Sequence, residues 1–529
     1  MLILHNAHLT TLDPDRPSAS ALAINGERVV AVGGGELPDS FPFAQKQDLG
    51  GRYLLPGLTD AHIHLQHYAL GLQKIDCETS TLEECLRRVA ERARLTPPGE
   101  WLLGHGWNQN AWPDAPSNGF PSAADLDRIA PHHPVYLTAK SLHAGWANSA
   151  ALEAAGITLN TPDPKDGVLQ RDASGRLTGI LLESAMKLVS EAIPKPGVDE
   201  IAAAIAAAQP ILWKMGLTGV HDFDGRDCFA ALQTLHGRGD LRLRVTKSIP
   251  LDLLPQAAAL GLRSGFGDDW LRIGSVKAFM DGALGPRTAA MFQPYEREAE
   301  NRGILNMDSE ELFEHSRLAA ESGLGMAVHA IGDRANHEVL EAFARLRQFE
   351  RERGLPPRRH RIEHVQLLHP ADARRLAELD VIASMQPIHA TSDLEMADRY
   401  WGGRAALSYA WRTQLEAGAR LAFGSDAPVE SPNPFWGLRA AVTRRRADGA
   451  PGPNGWRGEQ RLSLAEALSG FTTGAAFAAG MEDRLGRLAP GFYADLIMLE
   501  EDLFTRHPDS LLELRPVAVM VGGDWAWQS

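Results

Sequence analysis

This chain of 529 residues contains little cysteine, no long apolar run and no excess of basic residues. The three cysteines (Cys77, Cys85 and Cys228) lack paired spacing, which argues against a disulfide framework or a thiolate metal site and fits a reducing compartment. No apolar run reaches the roughly 20 residues that span a bilayer. The opening residues, MLILHN, lack the basic and apolar regions of a signal peptide. We therefore expect a cytoplasmic protein with no membrane partner.

The charge balance is acidic, with 53 Lys and Arg against 67 Asp and Glu, a formal net charge of −14. A nucleic-acid-binding protein would carry a basic excess on its binding domain, so we expect no nucleic-acid partner. Hydrophobic residues make up 44% and charged residues 23%, as in globular proteins with large cores. At roughly 150 residues per domain, the length predicts two to four domains, or one large barrel with additions.

Both ends of the chain predict β-structure. Short apolar segments rich in β-branched residues and broken by Gly, Asn and Asp occur in residues 1–55 and again in residues 480–529. Neither segment is long enough to form a domain alone. We therefore expect the two termini to form one composite β-sandwich.

The middle of the chain predicts an α/β fold, because strand-like segments alternate with amphipathic helical ones. The strand candidates are residues 54–65, 218–223, 241–249, 271–280, 325–330, 360–365, 381–387 and 420–428. Eight such strands predict a (β/α)8 TIM barrel over residues 56–65 and 211–479. About 150 residues separate the first two strands, whereas a βα unit needs only ~30. Residues 66–210 are therefore predicted to be a large insertion after the first strand, a subdomain over the barrel mouth.

Side chains suited to metal binding fall at the carboxyl ends of these strands, where the active sites of such barrels lie. His62 and His64 alternate at the end of the first strand, so both imidazoles point to one face. The other candidates end strands four, five, six and eight: Lys277, His329, His364 and Asp426. Imidazole and carboxylate suit divalent cations such as Zn²⁺, which lower the pKa of a ligated water to about 7. Asp426 is the expected catalytic residue, ligating the cation and carrying a proton to the leaving nitrogen.

Lys277 has two interpretations from the residues alone. Burial next to a cation would lower the pKa of its amine, which could then take up carbon dioxide as a carbamate that bridges two ions. Alternatively, Lys277 remains an ammonium paired with a carboxylate such as Asp281, above a single ion. The residues leave one or two ions open.

The chain resembles the amidohydrolase superfamily, and within it the amidohydrolase-3 family of YtcJ-like metal-dependent hydrolases. The matching segments include PGLTDAHIHL, VKAFMDGALGPRTA, VHAIGDRA, RIEHVQ, AFGSDAPVE and LGRLAPGFYADLIMLEED, spread over nearly the whole chain. The resemblance implies the barrel, the composite sandwich and a divalent metal, usually zinc. It implies as metal ligands His62, His64, Lys277, His329, His364 and Asp426, with Lys277 carboxylated. One departure is Ala283-Leu284-Gly285-Pro286, where relatives commonly have Ser-Leu-Gly-Ser; it could alter the pocket beside Arg287.

Further residues are candidates for holding substrate or orienting ligands. His143 and Trp146, in the segment SLHAGWANSAAL, contact substrate or else serve capping and packing. Arg287 and His389 are further candidates for substrate binding. Asp281 and Asp333 either orient the ligands or form turns and helix N-caps. The tryptophans of the insertion are expected to pack its core, with an aromatic substrate compartment as the alternative.

These observations predict a hydrolase of non-peptide carbon–nitrogen bonds that acts on a small-molecule amide or an N-acyl or N-formyl amine. N-acyl amino acid, dipeptide or ester hydrolysis at the same site is the alternative. The alternative outside the enzymes is a catalytically silent barrel that binds partners. Such a barrel would have lost one or more of the six ligands. A homodimer is left open.

Overall fold

The computed structural model describes residues 1–116, 119–140 and 143–529, which divide into two compact units. The first unit joins Met1–Ala69 to Ile201–Ser529, and the second is Leu70–Glu200. In the described part of the chain, every helix is too short or too polar to cross a membrane.

A parallel barrel is the centre of the first unit. Its eight strands, counted over the described residues, are Leu58–Ile63, Leu217–Asp222, Arg244–Pro250, Leu271–Phe279, Gly325–Ala330, Arg361–His364, Ile382–Met385 and Leu421–Phe423. They pair in chain order, each parallel to the next. All eight predicted strands are present, and the TIM-barrel prediction is confirmed. The first is shorter than expected, because residues 54–65 contain two strands that separate at Gly57.

The barrel closes between its first and eighth strands. Ile63 forms a parallel bridge with Ala427, and the carboxylate of Asp60 accepts the backbone N–H groups of His62 and Ser425, both at 3.0 Å. Close approach requires glycine at position 424, since a Cβ there would lie 2.4 Å from the backbone nitrogen of His62. The seam therefore fixes the carboxyl end of the first strand against the segment that follows the eighth.

Helices alternate with the barrel strands, as the periodicity predicts. They are Leu65–Gly71, Val198–Lys214, Arg226–Arg238, Leu254–Ala259, Ser309–Glu321, Asp333–Arg353, Arg375–Glu378, Pro387–Trp401, Trp411–Ala417, Pro434–Thr443, Leu464–Gly470 and Thr473–Ala479. Asp308 caps the helix Ser309–Glu321, because its side chain accepts the N–H of Glu311 at 2.9 Å. Short 3₁₀ turns lie at Leu251–Leu253, Pro370–Asp372, Gly402–Leu407, Gly458–Gln460 and Pro508–Leu512.

Both termini build a β-sandwich, as predicted. One sheet contains Leu2–His5, Ala21–Asn25, Arg28–Gly33 and Gln45–Asp48, with the short helix Leu37–Ser40 beside it. The other joins the N-terminal strands His8–Thr10, Ser18–Ala19 and Tyr53–Pro56 to the C-terminal strands Leu496–Leu499, Ala518–Val521 and Asp524–Gln528. A common core that includes Leu4, Leu22, Leu54, Leu496 and Met520 fills the space between the sheets.

The second unit has a mixed sheet of its own. In spatial order its strands are Gly167–Arg171, Leu177–Glu183, Ala144–Ala147, Val135–Ala139, Leu102–Trp107 and Ile75–Asp76. Its helices are Leu82–Leu95, Ala123–Ile129, Ser149–Ala154 and Met186–Ser190, with a 3₁₀ turn at Gln109–Ala111. Trp107, Trp112 and Trp146 are buried in its core, where the Trp107 and Trp146 rings meet edge to face at 6.3 Å. Core packing thus accounts for these tryptophans.

Candidate metal centre

Three predicted ligands meet at the seam of the barrel. Nε2 of His62 and Nε2 of His64 each lie 3.4 Å from Oδ1 of Asp426. The backbone sets this geometry, because the N–H of Asp426 donates to the carbonyl of His62 at 2.7 Å and the N–H of His64 donates to the carbonyl of Ala427 at 2.9 Å. Strand pairing therefore brings together side chains more than 360 positions apart in the sequence.

Buried carboxylates hold the opposite nitrogens of both imidazoles. Nδ1 of His62 donates to Glu363 at 2.6 Å, and Nδ1 of His64 donates to Asp224 at 3.1 Å. The Glu363 carboxylate is fully buried and is itself bound by the guanidinium of Arg361, whose Nε lies 2.5 Å from Oε1. These contacts direct Nε2 of both imidazoles toward Asp426. Nε2 of His62 carries a lone pair there, which is the tautomer that a metal ligand requires, whereas Nε2 of His64 carries one once its proton is displaced.

A similar hydrogen bond orients His364 at the end of the sixth strand. Its Nδ1 donates to the amide oxygen of Gln386 at 2.8 Å, which leaves Nε2 as an acceptor. The His364 ring lies 4.9 Å from the ring of His62 and 4.6 Å from the ring of His329, measured between centroids. Nε2 of His329 donates to the carbonyl of Gly282 at 2.9 Å, so its Nδ1 carries the lone pair. Four imidazoles therefore surround one region at the carboxyl end of the barrel.

The backbone is strained at two of these positions. His364 has φ of 75° and Asp426 has φ of 62°, both in the left-handed region. For a residue other than glycine, such a conformation costs on the order of 1–3 kcal/mol. Strained residues of this kind cluster at functional sites. The strain at His364 and Asp426 is consistent with a functional centre here.

Burial keeps most of these imidazoles neutral. It lowers the pKa of His62 to about 4 and that of His329 to about 3, with the charge of Lys277 as a second cause in both. It also holds the pKa of His364 well below its ordinary value. For His64, hydrogen bonds to Asp224 and Asp426 outweigh burial and raise the pKa to about 9. Because the neutral imidazole is the form that binds a metal, His62, His329 and His364 can ligate directly, and His64 ligates after it loses a proton.

Lys277 is buried in an aromatic setting beside the histidines. Its Nζ lies 4.7 Å from the ring centre of Phe223 and 4.8 Å from that of Phe279, and burial lowers its pKa to about 8. The alternative pairing with Asp281 is not formed. The Asp281 carboxylate accepts backbone N–H groups from Ala290, Ile331 and Gly332 at 2.8–3.0 Å.

The donor set fits a divalent cation. Ligand atoms of His62, His64 and Asp426 lie within 4.8 Å of one another, and so do those of His364, His389 and Asp426. Nε2 of His62 is buried and has no hydrogen-bond partner, as expected of an atom that faces a cation. Imidazole nitrogens with a carboxylate oxygen are the ligands that zinc-type ions take in hydrolases.

The candidates for substrate binding and ligand orientation divide into residues near the centre and residues elsewhere. His389 is near, with Nε2 3.9 Å from Oδ2 of Asp426, and Asp281 lies 3.4 Å from Nε2 of His329. Arg287 instead pairs with Glu298 at 2.6 Å. Asp333 accepts the N–H of Phe292 at 3.0 Å and orients none of the six predicted ligands directly.

The two candidates in the second unit differ from each other. Trp146 is fully buried, and its Nε1 donates to the carbonyl of Ser122 at 2.8 Å, so packing rather than substrate contact accounts for it. His143 lines a cavity of about 620 Å³ in that unit, together with Trp107 and Lys140. Its Nδ1 lies 2.9 Å from Glu183.

Several residues that support the centre escape prediction from sequence. They are Asp224, Arg361, Glu363, Gln366 and Gln386. A signal exists for Asp224, which follows the second strand in TGVHDFD much as Asp426 follows the eighth in AFGSDAPVE. His67, three residues after His64, also donates from Nδ1 to Asp224 at 2.6 Å.

A (β/α)8 barrel with histidines and an aspartate gathered at the carboxyl ends of its strands is typical of metal-dependent hydrolases. The sequence profile of the Amidohydrolase family matches residues 45–525. The chain therefore belongs to the amidohydrolase family, and the predicted hydrolase of carbon–nitrogen bonds is confirmed at the level of that family.

Similar proteins cover nearly the whole chain. Protein LONG AFTER FAR-RED 3 from Arabidopsis thaliana is 33% identical, over 94% of this chain and 87% of that protein. Putative amidohydrolase YtcJ from Bacillus subtilis is 32% identical, over 92% and 91%. N-substituted formamide deformylase from Arthrobacter pascens is 28% identical, over 99% and 97%.

Solved structures agree with this placement. A metal-dependent hydrolase from Pyrococcus horikoshii superposes with a TM-score of 0.78 at 28% identity, over 96% of this chain and 99% of that one. A metal-dependent hydrolase from Pyrococcus furiosus superposes with a TM-score of 0.77 at 31% identity, over 95% and 100%.

Proposed function

We propose that the protein is a metal-dependent amidohydrolase that cleaves an amide, N-acyl or N-formyl bond of a small molecule. The observation that carries the proposal is the buried, unpartnered Nε2 of His62, which faces Asp426 beside Nε2 of His64. On the opposite side of each ring, Nδ1 of His62 donates to Glu363 and Nδ1 of His64 donates to Asp224. Such an arrangement costs free energy without a cation and gains it with one.

His62, His64 and Asp426 would hold the first cation, and His329, His364 and a carboxylated Lys277 would serve a second. We propose zinc, because the donors are imidazole and carboxylate. Such a cation supplies a hydroxide nucleophile at neutral pH and polarises a carbonyl oxygen. The low pKa of buried Lys277 makes its free amine available for carbamate formation.

Asp426 is the proposed proton carrier. Its Oδ1 faces the two imidazoles of the first strand, while Oδ2 points toward His389, 3.9 Å away. One oxygen can therefore ligate while the other accepts a proton from the attacking water and returns it to the departing nitrogen. A leaving amine needs that proton because the unprotonated amide anion is a very poor leaving group.

His389 is the proposed substrate-holding residue. The amide Nε2 of Gln366 donates to its Nδ1 at 3.3 Å, which leaves the N–H on Nε2 and makes His389 a donor to substrate rather than a metal ligand. That N–H points to the region of Asp426 and is buried without a hydrogen-bond partner. A donor in this position can bind the carbonyl oxygen of a substrate.

Formamides are the first substrates to test, because a relative that matches 99% of this chain is named for N-substituted formamide deformylation. The test combines metal analysis of the purified protein with an activity screen on N-formyl and N-acyl amines, before and after chelation. Asp426→Asn and Lys277→Ala should each lose turnover, whereas the control Asp15→Asn, at an exposed site in the sandwich, should not. Hydrolysis that survives chelation, or full activity in either site variant, would overturn the proposal.

A further inference from the structure

Phe279 is a large apolar side chain that remains 46% exposed at the carboxyl end of the fourth barrel strand. It lies two residues after Lys277, and residues at that spacing point to the same side of a strand. The contact between Nζ of Lys277 and the Phe279 ring, 4.8 Å to its centre, agrees with this direction. Phe279 therefore lies one step closer to the barrel mouth than Lys277.

The Phe279 ring also borders the histidines. It pairs in register with His329 on the next strand, and the two rings lie 5.3 Å apart between centroids. On the other side of Lys277, the ring of Phe223 stacks on His62 at 4.2 Å and is almost fully buried. One of these two rings is thus enclosed by the protein, and the other is left open beside the donor set.

An open ring beside Lys277 and His329 offers apolar surface to a molecule bound at the centre, and burial of that surface is favourable. We infer that Phe279 determines specificity by packing against an uncharged apolar substituent of the substrate; this inference rests on the function proposed above. A phenyl ring offers no hydrogen bond to a carboxylate. The contact therefore favours N-alkyl and N-aryl amides over N-acyl amino acids and dipeptides.

The direct test compares substrates that differ only in apolar length. In the wild type, kcat/KM for N-hexylformamide should exceed that for N-methylformamide. Phe279→Ala should lower this ratio about tenfold, chiefly through KM, as expected when the surface that buries several methylenes is removed. Phe279→Leu should retain most of the ratio.

A matched control lies beside the opposite end of the same strand, outside its residues Leu271–Phe279. Phe266 is 65% exposed, and its carbonyl accepts the N–H of Ile273 near the beginning of the strand. Phe266→Ala therefore removes an exposed ring without touching the carboxyl end of the barrel, and it should leave the ratio unchanged. An unchanged ratio in Phe279→Ala, with metal content equal to that of the wild type, would overturn the inference.

Calorimetry separates this inference from the proposed function. The probe is N-hexylmethanesulfonamide, an uncleaved analogue, whose Kd should rise about tenfold in Phe279→Ala and stay constant in Phe266→Ala. This result can be obtained even if no amide is hydrolysed, an outcome that would refute the proposed function alone. Equal Kd values in the wild type and Phe279→Ala, or no binding by the wild type, would refute the role of Phe279.

Discussion

The carboxylate of Glu363 lies 2.6 Å from Nδ1 of His62, although 301 positions separate the two residues in the chain. Both side chains are fully buried, and Arg361 binds the same carboxylate from the other side. The pair turns the Nε2 lone pair of His62 toward Asp426. It therefore links the interior of the barrel directly to the proposed metal centre.

Replacing Glu363 should weaken metal binding. In Glu363→Gln, the amide can still accept from Nδ1 of His62 but no longer carries the charge that makes the imidazole a stronger ligand. Loss of such a partner typically costs about 10–100-fold in metal affinity or activity. A competition titration with a zinc chelator measures the change, and Glu482→Gln, on the outer Arg359 pair, serves as control. Wild-type affinity in Glu363→Gln would argue against the assigned role.

Lys277 should react with carbon dioxide. Burial lowers the pKa of its ammonium to about 8, so a substantial fraction of free amine exists near neutral pH. Metal-loaded protein prepared with carbon-13 bicarbonate should show a carbamate carbon signal by NMR, and Lys277→Met should not. A fully active enzyme without that signal would mean that Lys277 acts uncarboxylated.

The ion pair of Lys247 and Asp222 should be important for folding. Nζ of Lys247 lies 2.8 Å from Oδ2 of Asp222, and both side chains are buried. Lys247→Met leaves the aspartate charge uncompensated, which typically costs about 3–5 kcal/mol of unfolding free energy. Urea denaturation measures the loss, and Lys46→Met, at an exposed edge strand, should be nearly neutral. Equal midpoints for the wild type and Lys247→Met would contradict the prediction.

The Glu466–Arg412 pair should give an acid-sensitive contribution to stability. Hydrogen bonds from the Arg412 guanidinium are the main reason that the pKa of Glu466 falls to about 2. Because the folded pKa lies below the unfolded one of about 4.3, the contribution is present above that value and is lost as pH falls toward 2. It should amount to about 1 kcal/mol, since water screens this partly exposed pair.

Glu466→Gln tests this directly. Its stability deficit relative to the wild type, from denaturation at several pH values, should be largest above pH 5 and should shrink toward pH 2. A deficit that is constant over this range would show that the charge of Glu466 contributes nothing.

The barrel and its ligand candidates could be predicted because both depend on local patterns. His62 and His64 show strand alternation, and Asp426 follows an apolar run by a few residues. The break at Gly57 could not be predicted, since it depends on a contact with Thr218: a Cβ at position 57 would lie 2.3 Å from that side chain. From the sequence pattern alone, residues 54–65 are therefore predicted as one strand.

The residues that hydrogen-bond to the ligand candidates could not be predicted for a related reason. Glu363 precedes His364, and simple alternation would place neighbouring side chains on opposite faces. The left-handed φ of 75° at His364 ends that alternation, so both side chains reach the centre. The partner of Asp224 is likewise set by strand order, which brings His64 to it across 160 positions. Both contacts depend on the tertiary structure and leave no local pattern in the sequence.

The most direct test of the metal centre is anomalous diffraction at the zinc edge from crystals of the zinc-loaded protein. An anomalous peak is expected about 2.0–2.2 Å from Nε2 of His62, from Nε2 of His64 and from a carboxylate oxygen of Asp426. A peak elsewhere, or none at this position in a protein that hydrolyses amides, would contradict the proposed metal centre.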